Sequence, residues 1–243
     1  MNRILFESGE ISDGVVTFGG VRAEHVLKVL HGEVGQTLKT GEVDGPVGKG
    51  EIVAIGGGCV TVRVTHDRAS LEPWDDLVLA PPRPRVMKRL LPQLATLGVG
   101  RIFLVGAKKV EKDFWGATLL KEENYRPLLV DGLMQAGTSA LPTLETRRNF
   151  RAFVRDELDA LFPVSRRIVA HPYGAGAVAS PAPGPAPSAR PLLAVGPEGG
   201  WTDEEVALLE AHGFERYSLG PRILRTDTAL IALLAQLMRQ PGP

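Results

Sequence analysis

Four consecutive apolar residues, Leu192–Val195, run directly into Gly196-Pro197-Glu198-Gly199-Gly200 and then into a helical pattern over Thr202–His212. A short strand that is apolar throughout must be buried on both faces, which places it inside a parallel sheet covered by helices. Thr202 and Glu205 have the spacing of a capping box, and Gly213 stands where that helix should stop. The arrangement then recurs: a strand at Arg216–Ser218, a turn containing Gly220-Pro221, and a helix over Thr226–Met238. Two strand–glycine–helix units so close in sequence predict two loops side by side at the carboxyl edge of one sheet. Upstream, strands at Leu77–Ala80, Arg101–Val105 and Arg167–Ala170 alternate with helices at Val86–Leu97, Tyr125–Gln135 and Arg151–Leu161, with a kink expected at Pro92. The expected class is α/β with a largely parallel sheet.

Residues 1–72 follow a different grammar. Thr37–Gly41 and Lys49–Ile55 are short and bounded by turns, and Val60, Val62 and Val64 alternate with polar residues. Asp44-Gly45-Pro46 and Gly56-Gly57-Gly58 supply hairpin turns, and one helix, Arg22–His31, carries a stripe of Val26, Val29 and Leu30. The pattern predicts a small β-barrel domain over 1–72 and an α/β domain over 73–243. Within the second, residues 174–191 are rich in Pro, Ala and Gly without periodicity, and an extended flexible loop is expected there.

Composition narrows the chemistry mainly by exclusion. Twenty-eight Lys and Arg balance 28 Asp and Glu, so net charge announces neither a nucleic acid nor a membrane partner. The single cysteine, Cys59, excludes an internal disulfide framework, and the five scattered histidines show no metal-ligand spacing. No apolar run approaches the roughly 18 residues of a spanning helix, and Met1–Glu10 lacks the pattern of a secretory signal, so a cytoplasmic protein is expected.

The GPEGG segment matches neither dinucleotide nor P-loop spacing. Asp203, Glu204 and Glu205 fill the first helical turn, where their charge competes for the positive end of the helix. A neutral or cationic ligand fits better than a phosphate, although a bare structural turn would read the same way. In the second loop Arg222 and Arg225 flank Ile223-Leu224, as surface charges or as groups beside a ligand. His171-Pro172, after the strand Arg167–Ala170, forms a third loop.

GPEGG followed by LGPRILRTDTA resembles the SPOUT (α/β-knot) superfamily of methyltransferases, and within it the ribosomal small-subunit (16S) rRNA uridine-N3 methyltransferase family. Val21–Leu30 is similar to the helix of that family's N-terminal PUA-like barrel. The resemblance implies a trefoil knot in the C-terminal domain, a homodimer, and S-adenosylmethionine held by three loops. Carried onto this chain, the cofactor contacts are His171 and Pro172; Val195, Gly196, Glu198, Gly199 and Gly200; and Ser218, Leu219, Gly220, Ile223 and Leu224. A cationic sulfonium ligand also suits the acidic turn after GPEGG. For the reaction itself, Arg225 and Arg222 are candidates to support the uracil oxygens, and Glu198 to accept a proton. The partner would be small-subunit rRNA or the ribosomal subunit, met by Arg22 and Lys28 of the first domain and by Arg83, Arg85, Lys88 and Arg89. These last four open a run to Lys112 that holds eight basic residues against one acid. No metal is expected. The chain departs from the family where a Glu-Gln-x-x-Arg run is replaced by Met134–Thr138, and where Asp227 replaces glutamate. Two rival readings remain: a SPOUT enzyme with another target, such as a ribose 2′-oxygen or another base position, and a non-catalytic assembly factor that binds RNA.

Overall fold

The computed structural model describes residues 2–172 and 190–237. The expected flexible loop therefore lies outside the described residues from 174 to 189, and so does Met238 of the last predicted helix. The chain forms two compact units, residues 1–72 with 127–141 and residues 73–126 with 142–243.

The first unit holds β1 (Ile4–Phe6), β2 (Val15–Phe18), the helix α1 (Gly20–Glu24) continued by a π-helical turn at His25–Val29, β3 (Thr37–Glu42), β4 (Val47–Gly56) and β5 (Cys59–Arg68). The five strands form one sheet in the order β1-β3-β4-β5-β2, antiparallel except for β1 on β3. Among the described residues β1 and β2 are edges, so the small barrel expected from the sequence takes the form of an open, curled half-barrel sheet. Its core joins Phe6, Phe18, Val26, Ile52, Val60 and Val62. Segment 127–141 joins this unit through backbone groups. Arg3 donates to the carbonyls of Thr40 (2.6 Å), Gly48 (3.1 Å) and Gly137 (2.9 Å). Ser139 donates to Gly45 O, and Leu141 N to the Asp44 carboxylate. Burial, then the positive charge of Arg68, pushes the Arg3 guanidinium below its ordinary range.

The second unit is built on a six-stranded parallel sheet. Its elements are β6 (Asp75–Leu79), α2 (Pro84–Thr96), β7 (Val99–Val105), α3 (Glu122–Ala136), β8 (Thr143–Arg147), α4 (Phe150–Ala152), α5 (Leu158–Leu161), β9 (Arg167–Ala170), β10 (Leu192–Val195), α6 (Asp203–Ala211), β11 (Phe214–Tyr217) and α7 (Thr226–Leu237). From residue 127 onward α3 belongs to the first unit, and a π-helical turn, Phe153–Glu157, joins α4 to α5. The strand order is β11-β9-β10-β6-β7-β8, so β10 is inserted between β9 and β6. One face packs Val78, Phe103, Val105 and Ala194 against Phe150, Phe153 and Leu158 and against Trp201, Val206 and Leu209. Asp76, almost wholly buried, pins the amino edge by accepting from Arg101 (2.8 Å) and Arg190 (3.0 Å). A buried carboxylate needs such partners, since an unpaired one would shed its charge. Pro92, where a kink is expected, lies inside α2, which runs on to Thr96.

Candidate active site

β11, β9 and β10 lie side by side and run the same way, so the three loops that follow them leave from one edge. The backbone N–H of His171 donates to Tyr217 O at 3.0 Å, extending the β9–β11 ladder past the end of β9. Beyond it opens a cleft of about 330 Å³. The structure places every residue assigned to cofactor contact on its wall: His171 and Pro172; Val195, Gly196, Glu198, Gly199 and Gly200; Ser218, Leu219, Gly220, Ile223 and Leu224. Ala170, Pro197, Tyr217, Arg222, and Thr226, Ala229 and Leu233 of α7 complete it.

The GPEGG turn owes its shape to its glycines and to two residues from the loop after β7. Gly200 N donates to Pro197 O at 2.8 Å, and Gly200 adopts φ +66°, the left-handed region that glycine enters without strain. A Cβ on Gly196 would stand 2.9 Å from Trp201 N, so only glycine lets the turn fold back this closely. Lys109 Nζ donates to Gly199 O at 2.7 Å and reaches Trp201 O at 3.5 Å. Glu205, buried, accepts from Thr202 N at 2.9 Å and from Lys108 N at 2.7 Å, while Thr202 Oγ1 accepts from Glu205 N. The capping box is therefore present and also ties the turn to the β7 loop. The third loop turns at Gly220 (φ +105°), whose N–H donates to Ser218 Oγ.

Because the first turn of α6 is capped by its own side chains and carries three acids, it offers little to an anion. What remains is an apolar floor, backbone groups at the glycine turns, and open space beside Gly200 and Gly220, where a Cβ would have no neighbour within 4 Å. Such a cleft suits a flat apolar ligand without phosphate. Its volume is at the small end of the usual range for ligand sites.

The candidate reacting groups are distributed differently. Arg222 is exposed on the cleft wall. The Glu198 carboxylate accepts from Arg83 N at 3.1 Å, which caps α2. Arg225 does not line the cleft; it borders a second, polar hollow of about 360 Å³ with Arg89, Gln93, Asp227 and Thr228. Of the residues assigned to RNA, Arg22 is bound to Glu10 and lies over Phe6 and Phe18, and Lys28 pairs with Glu24. Arg83 pairs with Glu111, whose carboxylate holds the guanidinium above its ordinary range. Arg85 and Lys88 are exposed, and Arg89 faces Asp227. Lys109 is the residue that sequence reasoning missed: it appeared only as one of a basic run, and its partners lie 90 and 92 positions away.

A family model described as an RNA methyltransferase domain matches residues 72–238. The chain belongs to that family. It is similar to the ribosomal RNA small subunit methyltransferase E of Treponema pallidum, 29% identical over 98% of this chain and 91% of that one. Among solved structures it is similar to a protein of Legionella pneumophila assigned as a methyltransferase and determined with bound S-adenosylmethionine. That match has 26% identity and a TM-score of 0.73, over 97% of this chain and 96% of that one. The small-subunit methyltransferase E of Neisseria gonorrhoeae shares the fold at 21% identity and a TM-score of 0.74, over 97% and 95%. The resemblance carried by the two C-terminal motifs thus agrees with the family assignment.

Proposed function

We propose that this RNA methyltransferase uses S-adenosylmethionine to methylate N3 of a uridine in small-subunit (16S) ribosomal RNA. The observation that carries the reading is the cleft itself, in which three loops from adjacent parallel strands bring two glycine turns and an apolar floor together. The Legionella protein, of similar fold, is determined with S-adenosylmethionine, and the Treponema relative bears the name of a small-subunit rRNA methyltransferase. Those two facts support the cofactor and the class of RNA.

The residues fit such a cofactor. The apolar floor at Ala229 and Leu233 suits a nucleoside base, the backbone at Gly199 and Gly220 suits its polar groups, and the acidic turn opposes no cation. When bound, the cofactor supplies an electrophilic methyl group. The chain's part is to hold the reacting atoms in line and to keep water out, which accounts for most of the rate gain in a transfer of this kind. Ile223 and Leu224, apolar yet exposed on the cleft wall, are placed to be covered when RNA arrives. Arg222, on the same wall, adds positive charge where the RNA backbone arrives. Uridine N3 lies on the pairing edge, so the base must leave its stack to reach the site.

Further parts of the reading are a trefoil knot in the second unit, a PUA-like role for the first in gripping RNA, a homodimer, and action in the cytoplasm. No helix among the described residues is long and apolar enough to cross a membrane, and none of them form a cluster of metal-ligating side chains. The experiment is methyl transfer from labelled cofactor to unmodified small-subunit RNA and to subunits, with the product nucleoside identified by mass spectrometry. N3-methyluridine is the expected product. A 2′-O-methyl nucleoside or another methylated base would replace the reading, and no transfer with intact RNA binding would turn it toward an assembly factor.

A further inference from the structure

We propose that the polar hollow between α2 and α7 receives the target base, and that Asp227 accepts the proton of its N3–H; this rests on the methyltransferase reading above. The hollow takes Arg89 and Gln93 from α2, and Arg225, Asp227 and Thr228 from the start of α7. It shares a stretch of chain with the cofactor cleft. Leu224 and Thr226 line the cleft, whereas Arg225 and Asp227 line the hollow. Alternate residues of one short segment thus serve two neighbouring cavities, which sets a donor and acceptor group beside the cofactor cleft.

The chemistry of that group matches uracil. The pairing edge of uracil reads acceptor, donor, acceptor: O2, N3–H, O4. Its complement is a carboxylate accompanied by donors. Two guanidiniums and Asp227 provide that set, whereas cytosine, with no proton on N3, does not match it. Asp227 is already oriented: Oδ1 accepts from Thr228 N at 2.9 Å, and Oδ2 lies 3.4 Å from Arg89 Nη2. That long ion pair to a largely exposed arginine is one a carbonyl-bearing ring can displace at small cost. Glu198, the other carboxylate considered for this role, is occupied in capping α2.

A carboxylate is a weak base toward an imide N–H, so the proton moves as the methyl arrives and the nitrogen acidifies. The N3–H bond breaks and its proton passes to Asp227. The nitrogen pair forms the new N–C bond, and the pair of the broken S–C bond stays on sulfur, leaving a neutral thioether. The charge of the sulfonium and that of the carboxylate are discharged together.

The test uses full-length protein with small-subunit RNA transcribed with uridine or with 5-fluorouridine, free and reassembled into particles. Asp227→Asn keeps the volume and removes the base. Its single-turnover rate should fall by about 10²–10³, the scale of one proton acceptor, while affinity for S-adenosylmethionine stays within about twofold. Fluorine acidifies N3–H, so 5-fluorouridine RNA should recover at least about tenfold of the loss, and the variant's rate should climb at alkaline pH where the base ionises unaided. A second measurement needs neither cofactor nor variant. RNA carrying N3-methyluridine at the target should bind the wild-type protein about tenfold more weakly than unmodified RNA, and Asp227→Ala should abolish the difference. Near-normal turnover of folded Asp227→Asn, or a loss that neither fluorine nor pH relieves, overturns the proposal. If wild-type protein binds cofactor yet methylates no uridine N3, the functional reading fails instead, and equal binding of the two RNAs then removes the pocket as well.

Discussion

Gly196→Ala tests the packing of the cofactor turn with the smallest possible change. The new Cβ would stand 2.9 Å from Trp201 N, 3.1 Å from the Gly200 carbonyl carbon and 3.2 Å from its Cα. Ordinary contact begins near 3.4 Å, and all three neighbours are backbone. They cannot swing aside as a flexible side chain would. The turn is closed by Gly200 N on Pro197 O and held by Lys109, and the Trp201 ring packs on Phe150 at 5.2 Å between centroids. Relief therefore requires lifting the turn into the cleft. Overpacking of this kind costs about 1–3 kcal/mol. Where the distortion is taken up by the loop, the same energy appears as about 5–150-fold weaker cofactor binding. Calorimetric titration with S-adenosylmethionine, with a thermal melt of the same sample, reads both. Gly200→Ala is the companion variant: its Cβ meets nothing within 4 Å, but φ +66° must be kept, a strain of about 1–2 kcal/mol without a clash. Gly196→Ala should lose affinity more than Gly200→Ala does. Wild-type affinity and melting temperature in Gly196→Ala would show that the turn yields freely, and the close-approach argument would be wrong.

Lys109→Met removes two bonds from an ammonium to the turn, exposed enough to be worth only about 1 kcal/mol together, so cofactor affinity should drop about fivefold and Lys109→Arg should regain part of it. Equal affinities across the three proteins would detach Lys109 from the site. Replacing exposed Arg85 and Lys88 with Ala should weaken RNA binding and reduce its salt slope by about 1–2, leaving cofactor affinity alone; an unchanged slope would make that face merely solvated. In acid, Glu10, Asp159 and Glu210 are held below the ordinary carboxylate range, first by hydrogen bonds from Arg22, Arg167 and Arg216. Folding lowers these pKa values, so the stability they bring is complete above about pH 5 and drains as pH falls through the lowered values. Urea melts of wild type and Arg216→Gln between about pH 3 and 6 should converge at the acid end and separate above about pH 5, and a constant gap would contradict the linkage.

The strands that the sequence placed best are those buried on both faces. β9 and β10 begin and end at the predicted residues, because a short run of Ile, Val, Leu and Ala bounded by turn residues has no other plausible use. The Thr202–Glu205 box was legible for a similar reason, since its partners lie three residues apart. β8, Thr143–Arg147, escaped notice: an edge strand of mostly exposed polar residues carries no apolar signal. β1 is too short for a period to register, and the strand read at Arg216–Ser218 actually runs Phe214–Tyr217. In the site, the loops could be read but their fastenings could not. Lys109 on Gly199 and Arg89 on Asp227 join residues 90 and 138 positions apart, and nothing local marks such pairs. The separation of Arg225 from the cleft depends on which side of a single turn each residue faces, and loops lack the periodicity that settles this for strands and helices.

The position of β10 carries a consequence for how the molecule comes into being. Strands β6, β7 and β8 are contiguous in the sheet and complete by Arg147, so a nascent chain can assemble that half as it leaves the ribosome. β9 has no such opportunity: its neighbours are β10 and β11, both synthesised later, and it must wait unpaired until Leu192–Val195 arrives to bridge it to β6. Each of the three loops around the cleft leaves this late half. A chain arrested before residue 217 would therefore own most of its sheet but lack the third loop and the α7 floor of its cleft. The enzyme acquires its chemistry in nearly the last step of its own translation.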